Sequence, residues 1–442
     1  MSMIDSKEIA LARKCLDSAL SKGAQKVRVT LNKSIMDLAG TLNGELDKTS
    51  HCLDRSLSVN LIVDGKFGSF STNRIEDTDS FLDKAIDKVR MLAPDQFRDL
   101  PAPERTANDA RQGTELGLMD PEYPDTDARK RIETALGASI FKNRPDGLVS
   151  EEAEYSETIS DTLILDSQGL YCRHTETGFD YGVEMTVQDA GGNKFSGYWW
   201  DASPWRNKLD TSTICPKALE RARAQMNPRP VESGKYNLVI DTEVASRVVS
   251  PVLSALSAYS VQQNNSFLTG RVGQKVFSEG FSIIDDCRIA GQSGSRLFDS
   301  EGVATRTAPI IENGIVKQYF INTYMAGKMG MAPTLESAMR PRVAGWPKPG
   351  LTSRDILEMC GSGILVTGFN GGNSNSSTGD FSYGIEGFAF ENGKITHPVR
   401  EMLITGNFIT LWSNLIAAGE DARNCMPKLI PTLAFSNVDF SA

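Results

Sequence analysis

The chain has 442 residues, 40% of them hydrophobic, enough to fill the cores of two or three domains at about 150 residues each. Its formal charge of -9, from 47 Lys and Arg against 56 Asp and Glu, and its pI near 5.2 argue against direct nucleic-acid binding, which needs clustered cations. Seven cysteines without a Cys-x-x-Cys pair argue against a disulfide framework or zinc ribbon, and charges within MSMIDSKEIALARK leave no room for an apolar signal core. No run approaches the roughly 18 apolar residues of a membrane span, so a cytoplasmic protein with reduced thiols and no membrane partner is expected.

Asp5 followed by Glu8 reads as a capping box, and Ile9, Ala12, Leu16, Ala19 and Leu20 recur at helical spacing until Gly23. The period then falls to two at Val27, Val29 and Leu31, and again at Leu57, Val59, Leu61 and Val63 before the Asp64-Gly65 turn. A second helix carries Leu82, Ala85, Ile86 and Val89 inward. Residues 1–93 thus read as a small α+β domain, and 94–125, with five prolines and no periodicity, as a linker.

A helix from Thr126 to Lys142 is predicted next. Antiparallel hairpins follow, with turns at Ser167-Gln168-Gly169 and Gly191-Gly192 and alternation at Tyr181, Val183, Met185 and Val187. Tyr198, Trp199, Trp200 and Trp205 form an aromatic cluster that reads equally as a partner surface or as a core plug. The helical CPKALERARAQM closes a middle α+β domain at 126–230. The third domain, 234–442, opens with the strand KYNLVID and a helix from Thr242 to about Ser260. It is otherwise β-rich, with Glu-Asn-Gly hairpin turns in IIENGIVKQ and FAFENGKIT. The fold class is α+β.

With three histidines, all more than a hundred residues apart, the chain has no His-Glu-x-x-His motif. Cys172, His174 and Glu176 would share one strand face and are the best metal constellation, but an ordinary exposed strand face is the favoured reading and no metal or cofactor is assigned. GQSGS and GNSNS both fail Gly-x-Ser-x-Gly, and Ser374 has no identifiable base. The glycine-rich stretch from Asn370 lacks the Lys-Ser/Thr ending of a phosphate loop, and CGSGIL is too short for a dinucleotide fingerprint.

Three stretches carry a resemblance. FDSEGVATRTAPIIENGIVKQYFINTYMAGKMG (Phe298 to Gly330), STGDFSYGIEGFAFENGKITHPV and GNFITLWSNLIAAGEDARNC resemble the TldD/PmbA family of metallopeptidases, whose members are also described as proposed modulators of DNA gyrase. In its catalytic members a helix bearing His-Glu-x-x-x-His supplies two zinc ligands and a general base, and a cysteine near the C-terminus supplies a third ligand. By position that helix is TEVASRVVSPVLSALSAYS, with the ligand positions near Val249 and Ser254 and Ser250 between them, and it holds no histidine; Glu243 is its sole carboxylate. Cys425 matches the family cysteine, but a lone thiolate does not hold a catalytic zinc.

The resemblance therefore implies a PmbA/TldE-type member. It would be the non-catalytic subunit of a TldD-type zinc peptidase that processes or degrades small unfolded peptides. An alternative is a homodimeric peptide-binding or regulatory protein acting without a peptidase partner, touching gyrase as the older family name implies. Gly371, Gly372, Asn373, Ser374, Gly379 and Asp380 form the candidate peptide or partner segment. Its glycines permit either a close backbone approach or simply a tight turn with positive φ.

Overall fold

The computed structural model describes residues 3–125, 127–344 and 350–442. They divide into two compact units: Met1–Ala222 with Arg288–Thr305 and Asn322–Pro333, and Arg223–Cys287 with Arg306–Ile321 and Thr334–Ala442.

In the first unit Asp5 caps helix α1 (Ser6–Ser21) by accepting from the Lys7 and Glu8 amides, and Glu8 returns the bond to the Asp5 amide, completing the expected capping box. Ala12 and Ala19 face the core as the spacing predicts, while Leu20 stands exposed at the frayed last turn. Strands β1 (Lys26–Leu42), β2 (Glu45–Val63) and β3 (Lys66–Thr72) follow, and helix α2 (Thr78–Arg90) buries Leu82, Ala85, Ile86 and Val89 against them. Asp64-Gly65 turns β2 into β3 with both residues at positive φ.

The strand expected at Val27–Leu31 runs eleven residues further, because Asn43-Gly44, also at positive φ, closes a long hairpin with β2. The helix expected from Thr126 to Lys142 is α3 (Ala128–Gly137), capped by Asp127; Thr126 itself lies outside the described residues. Strands β4 (Leu148–Asp166), β5 (Tyr171–Gln188) and β6 (Lys194–Ser203) form the predicted hairpins, and helix α4 (Ile214–Ala224) ends the run. All six strands make one antiparallel sheet in the order β3-β2-β1-β4-β5-β6, which continues across residues 94–125. At its middle, Asp161 is buried and accepts from the Ile4 amide (2.9 Å), Arg173 Nε (2.9 Å) and Thr175 Oγ1 (3.1 Å).

The second unit begins with β7 (Gly234–Ile240). The helix expected from Thr242 to Ser260 is two pieces: α5 (Ser246–Ala255) and a short helix, Ala258–Gln262. Residues 241–245 form a turn instead, and Pro251, lacking an N–H, cannot bond the Arg247 carbonyl one turn back. The break between the pieces is fixed where Ser257 becomes extended and the Ala258 amide bonds the Phe320 carbonyl. A small sheet holds β8 (Ser282–Asp285), β9 (Ala308–Glu312), β10 (Ile315–Val316) and β11 (Pro341–Ala344).

Strands β12 (Gly363–Ser374), β13 (Asp380–Glu391), β14 (Lys394–Asn407), β15 (Leu415–Ala418) and β16 (Leu433–Ser441) join β7 in the order β14-β13-β12-β7-β16-β15. Pairing of Leu403–Thr405 in β14 with Asp439–Ser441 in β16 closes a barrel. Both Glu-Asn-Gly turns are hairpins with Asn and Gly at positive φ: Asn313-Gly314 joins β9 to β10 and Asn392-Gly393 joins β13 to β14. β7 uses both faces: Val239 packs with Leu365, Phe388 and Ile356, and Leu238 and Ile240 are buried on the other side. Trp412 stacks on Phe281 at 4.2 Å, meets Phe435 at 5.1 Å, and donates its Nε1–H to the Val248 carbonyl, which pins α5 to the core.

Two stability predictions follow from this packing. Asp161→Ala leaves Arg173 buried without its counter-charge, so chemical denaturation should show a loss of about 3–5 kcal/mol. In β12 the ladder with β13 shifts register between Phe369 and Gly372, and Gly371 and Gly372 both have positive φ. A Cβ on Gly372 would lie 2.0 Å from the Ser382 carbonyl oxygen, whereas one on Gly371 meets open space. Gly371→Ala should therefore cost the conformational penalty alone, roughly 1–2 kcal/mol. Gly372→Ala should add about 1–3 kcal/mol for the backbone collision, and equal melting points for the two variants would refute this assignment.

Candidate functional site

β12 has two neighbours, and they do not cover it equally. β13 pairs along nearly its whole length, but the parallel pairing with β7 spans only Ile364–Val366, after which β7 ends and the chain turns into α5. From Thr367 to Ser374 the second edge of β12 has no strand neighbour among the described residues. It faces α5 across a cleft of about 980 Å³.

The two segments singled out in the sequence meet there. α5 buries Val248, Val249, Val252 and Leu253 and turns its opposite stripe to the cleft, where Arg247, Ser250 and Ser254 recur at spacings of three and four. Gly371, Gly372, Asn373 and Ser374 line the opposite wall. Of the counted ligand positions, Ser254 and the intervening Ser250 are therefore in the cleft, and Val249 is in the core. Arg247 ties the walls together: its Nη2 lies 3.3 Å from the Gly372 carbonyl oxygen, and its guanidinium sits 4.5 Å over the Tyr383 ring.

Gly379 and Asp380 serve the turn that feeds β13. Gly379 is buried against Phe267 at positive φ, and the Phe408 amide donates to its carbonyl. Asp380 accepts from Asn407 Nδ2 (2.9 Å) and Thr378 Oγ1 (2.7 Å), bonds that hold its carboxyl below the ordinary carboxylate range. It borders a second hollow of about 660 Å³ beside Asn373 and Ser374. Ser374 has no general base within hydrogen-bonding distance among the described residues.

Sequence reading missed the aromatic wall. Phe267, Phe369, Tyr383 and Phe408 line the cleft, and Phe381 beneath them stacks on Tyr383 at 5.4 Å and approaches Phe408 at 4.9 Å. Phe381 and Tyr383 lie two apart on β13 and share one strand face, but nothing local ties that face to Phe267 or Phe408. Also missed was the loop between β15 and β16, which lies along α5. Arg423 pairs with Glu243, and Lys428 Nζ donates to Ser250 Oγ at 2.7 Å. Glu243, the sole carboxylate of the expected helix, precedes α5 and is held by the Arg423 ion pair. Cys425, half-buried, occupies the same loop between these two anchors.

This donor set does not fit a catalytic zinc. The α5 stripe offers neutral hydroxyls, and zinc sites draw on thiolate, imidazole and carboxylate ligands. Among the described residues no group of three His, Cys, Asp or Glu could hold a metal. Cys172 and His174 are buried, not exposed as expected: Cys172 packs with Ala110 and Leu170, and His174 meets the Phe298 ring edge-on at 6.2 Å. The Tyr198–Trp205 cluster divides, with Tyr198 exposed on β6 and Trp199 under the Arg221 guanidinium at 5.1 Å. What the cleft does offer is a bare strand edge, a ring-lined wall and hydroxyl and amide side chains, a surface suited to an extended chain.

Comparison with known proteins agrees with the earlier resemblance. Residues 121–226 match the PmbA/TldA metallopeptidase central domain, and residues 233–442 match the PmbA/TldA metallopeptidase C-terminal domain. The metalloprotease PmbA of Escherichia coli O157:H7 is 26% identical over 435 residues, 95% of this chain and 93% of that protein. The crystal structure of a proposed modulator of DNA gyrase from Bacteroides thetaiotaomicron superposes with a TM-score of 0.93 at 36% identity, covering 100% of both chains. TldE from Thermococcus kodakarensis shares the fold, with a TM-score of 0.79 at 20% identity over 98% of this chain and 100% of that one. Matched by family models over residues 121–226 and 233–442 and along its whole length by a 36% identical structure, this chain belongs to the TldD/PmbA family.

Proposed function

We propose that the chain is a PmbA/TldE-type, non-catalytic subunit of a TldD/PmbA metallopeptidase system, and that it holds small unfolded peptides in the cleft between α5 and β12. The observation that carries this reading is the pairing of an uncovered β12 edge with an α5 stripe that presents Ser250 and Ser254 and no imidazole. A peptide laid along Thr367–Ser374 would draw affinity from main-chain hydrogen bonds, each worth about 0.5–1.5 kcal/mol net. Such binding needs no metal and tolerates varied sequences, because the backbone is common to all peptides. Cleavage would fall to a homologous subunit bearing His-Glu-x-x-x-His. The names metalloprotease and modulator of DNA gyrase, carried by relatives, enter this proposal only through that partnership.

Metal analysis of the purified chain should find zinc far below one per chain, and the chain alone should bind an unstructured peptide without cutting it. Affinity purification from its native cells should bring down a homologue carrying His-Glu-x-x-x-His, with peptide cleavage appearing in the mixture. Stoichiometric zinc together with chelator-sensitive cleavage by the isolated chain would overturn the proposal.

A further inference from the structure

Two cations meet at the cleft without a carboxylate partner among the described residues: Arg247 lines it, and Lys428 reaches its wall through Ser250. Arg247 spends one N–H on the Gly372 carbonyl and rests its face on Tyr383, leaving other donors free among the described residues. Lys428 spends one of its three N–H bonds on Ser250 Oγ and is half-buried in doing so. Neither has an ion-pair partner among the described residues. The contrast lies one turn away, where Glu243 and Arg423 neutralise each other. Ser250 stands three residues beyond Arg247 on the same face of α5, so the hydroxyl that holds Lys428 is a neighbour of the guanidinium.

Resting on the peptide-binding reading, we infer that Arg247 and Lys428, with Ser250 between them, form an anchor for a carboxylate of the bound peptide. Desolvation holds the Lys428 ammonium below the ordinary lysine range, so its charge costs free energy that no counter-ion returns. An arriving carboxylate supplies that counter-ion and accepts the unused N–H bonds, the charge-assisted kind that are the stronger hydrogen bonds. Because Arg247 also holds the Gly372 carbonyl of β12, the anchor would fix where along that edge a peptide stops. Main-chain pairing alone leaves this register free. The carboxylate has two possible sources, the free C-terminus or an Asp or Glu side chain.

Fluorescence anisotropy on the full chain separates them with four versions of one labelled, unstructured decapeptide: C-terminal acid or amide, each with a single Asp or with Asn in its place. The expected result is that removing the critical carboxylate weakens binding about tenfold, the scale of one hydrogen bond to a charged group. Loss on amidation identifies the C-terminus, and loss on Asp→Asn identifies a side chain. Lys428→Met should abolish the preference and Lys428→Arg should retain it, with melting curves confirming that both variants fold. Equal affinity for all four peptides, or a preference that persists in Lys428→Met, overturns the anchor and leaves the peptide-binding reading standing. Binding of none of the four removes that reading, and the anchor with it.

Discussion

The C-terminal unit depends on where one parallel ladder stops. Leu238, Val239 and Ile240 pair with Ile364, Leu365 and Val366, and then β7 ends while β12 continues for eight residues. The Asp241 amide still reaches the Val366 carbonyl, after which the turn at 241–245 carries the chain away into α5. A strand edge left bare is ordinarily a liability, since its N–H and C=O groups invite pairing with any passing chain. Here the bare edge is enclosed between a helix and a ring-lined wall.

What the α5 stripe carries sets the chemistry that the cleft can offer. The helix is fixed by its apolar side, with Val248, Val249, Val252 and Leu253 in the core and Trp412 bonded to the Val248 carbonyl. Those anchors determine which residues look into the cleft and are indifferent to their chemistry. Ser250 and Ser254 put hydroxyls on that stripe, groups that hydrogen-bond but are not zinc ligands. The loop from β15 to β16 meets the same stripe: its Lys428 bonds Ser250 and puts a cation against it.

The sequence disclosed most where a local rule leaves one solution. The capping box at Asp5, the Asn-Gly turns at 313 and 392 and the alternation in β2 and β5 follow from side-chain chemistry within a few residues. β1 ran past its prediction because its distal half, NKSIMDLAGTL, has weak alternation and is ordered by long pairing with β2 and β4. The α5 break was hidden because its cause is remote: Phe320 receives the Ala258 amide from sixty residues away. The same limit governed the site. Gly371 to Ser374 and the helix at Ser250 could each be singled out alone. Their meeting across one cleft, the ring wall from Phe267 to Phe408 and the Lys428 contact arise from tertiary packing that no window of sequence contains.

The glycines answer a question that the sequence left open. Gly372 is demanded by its own sheet, since the Ser382 carbonyl already occupies the space a side chain would take, and Gly379 by its positive φ against Phe267. Neither needs a ligand to explain it. Gly371 also has positive φ, but its would-be Cβ meets nothing and it borders the cleft. Positive φ thus accounts for all three glycines, and Gly371 alone also leaves room beside it for another backbone. Residues fixed by the fold say how the edge is built, and only the positions that the fold leaves free bear on what the edge receives.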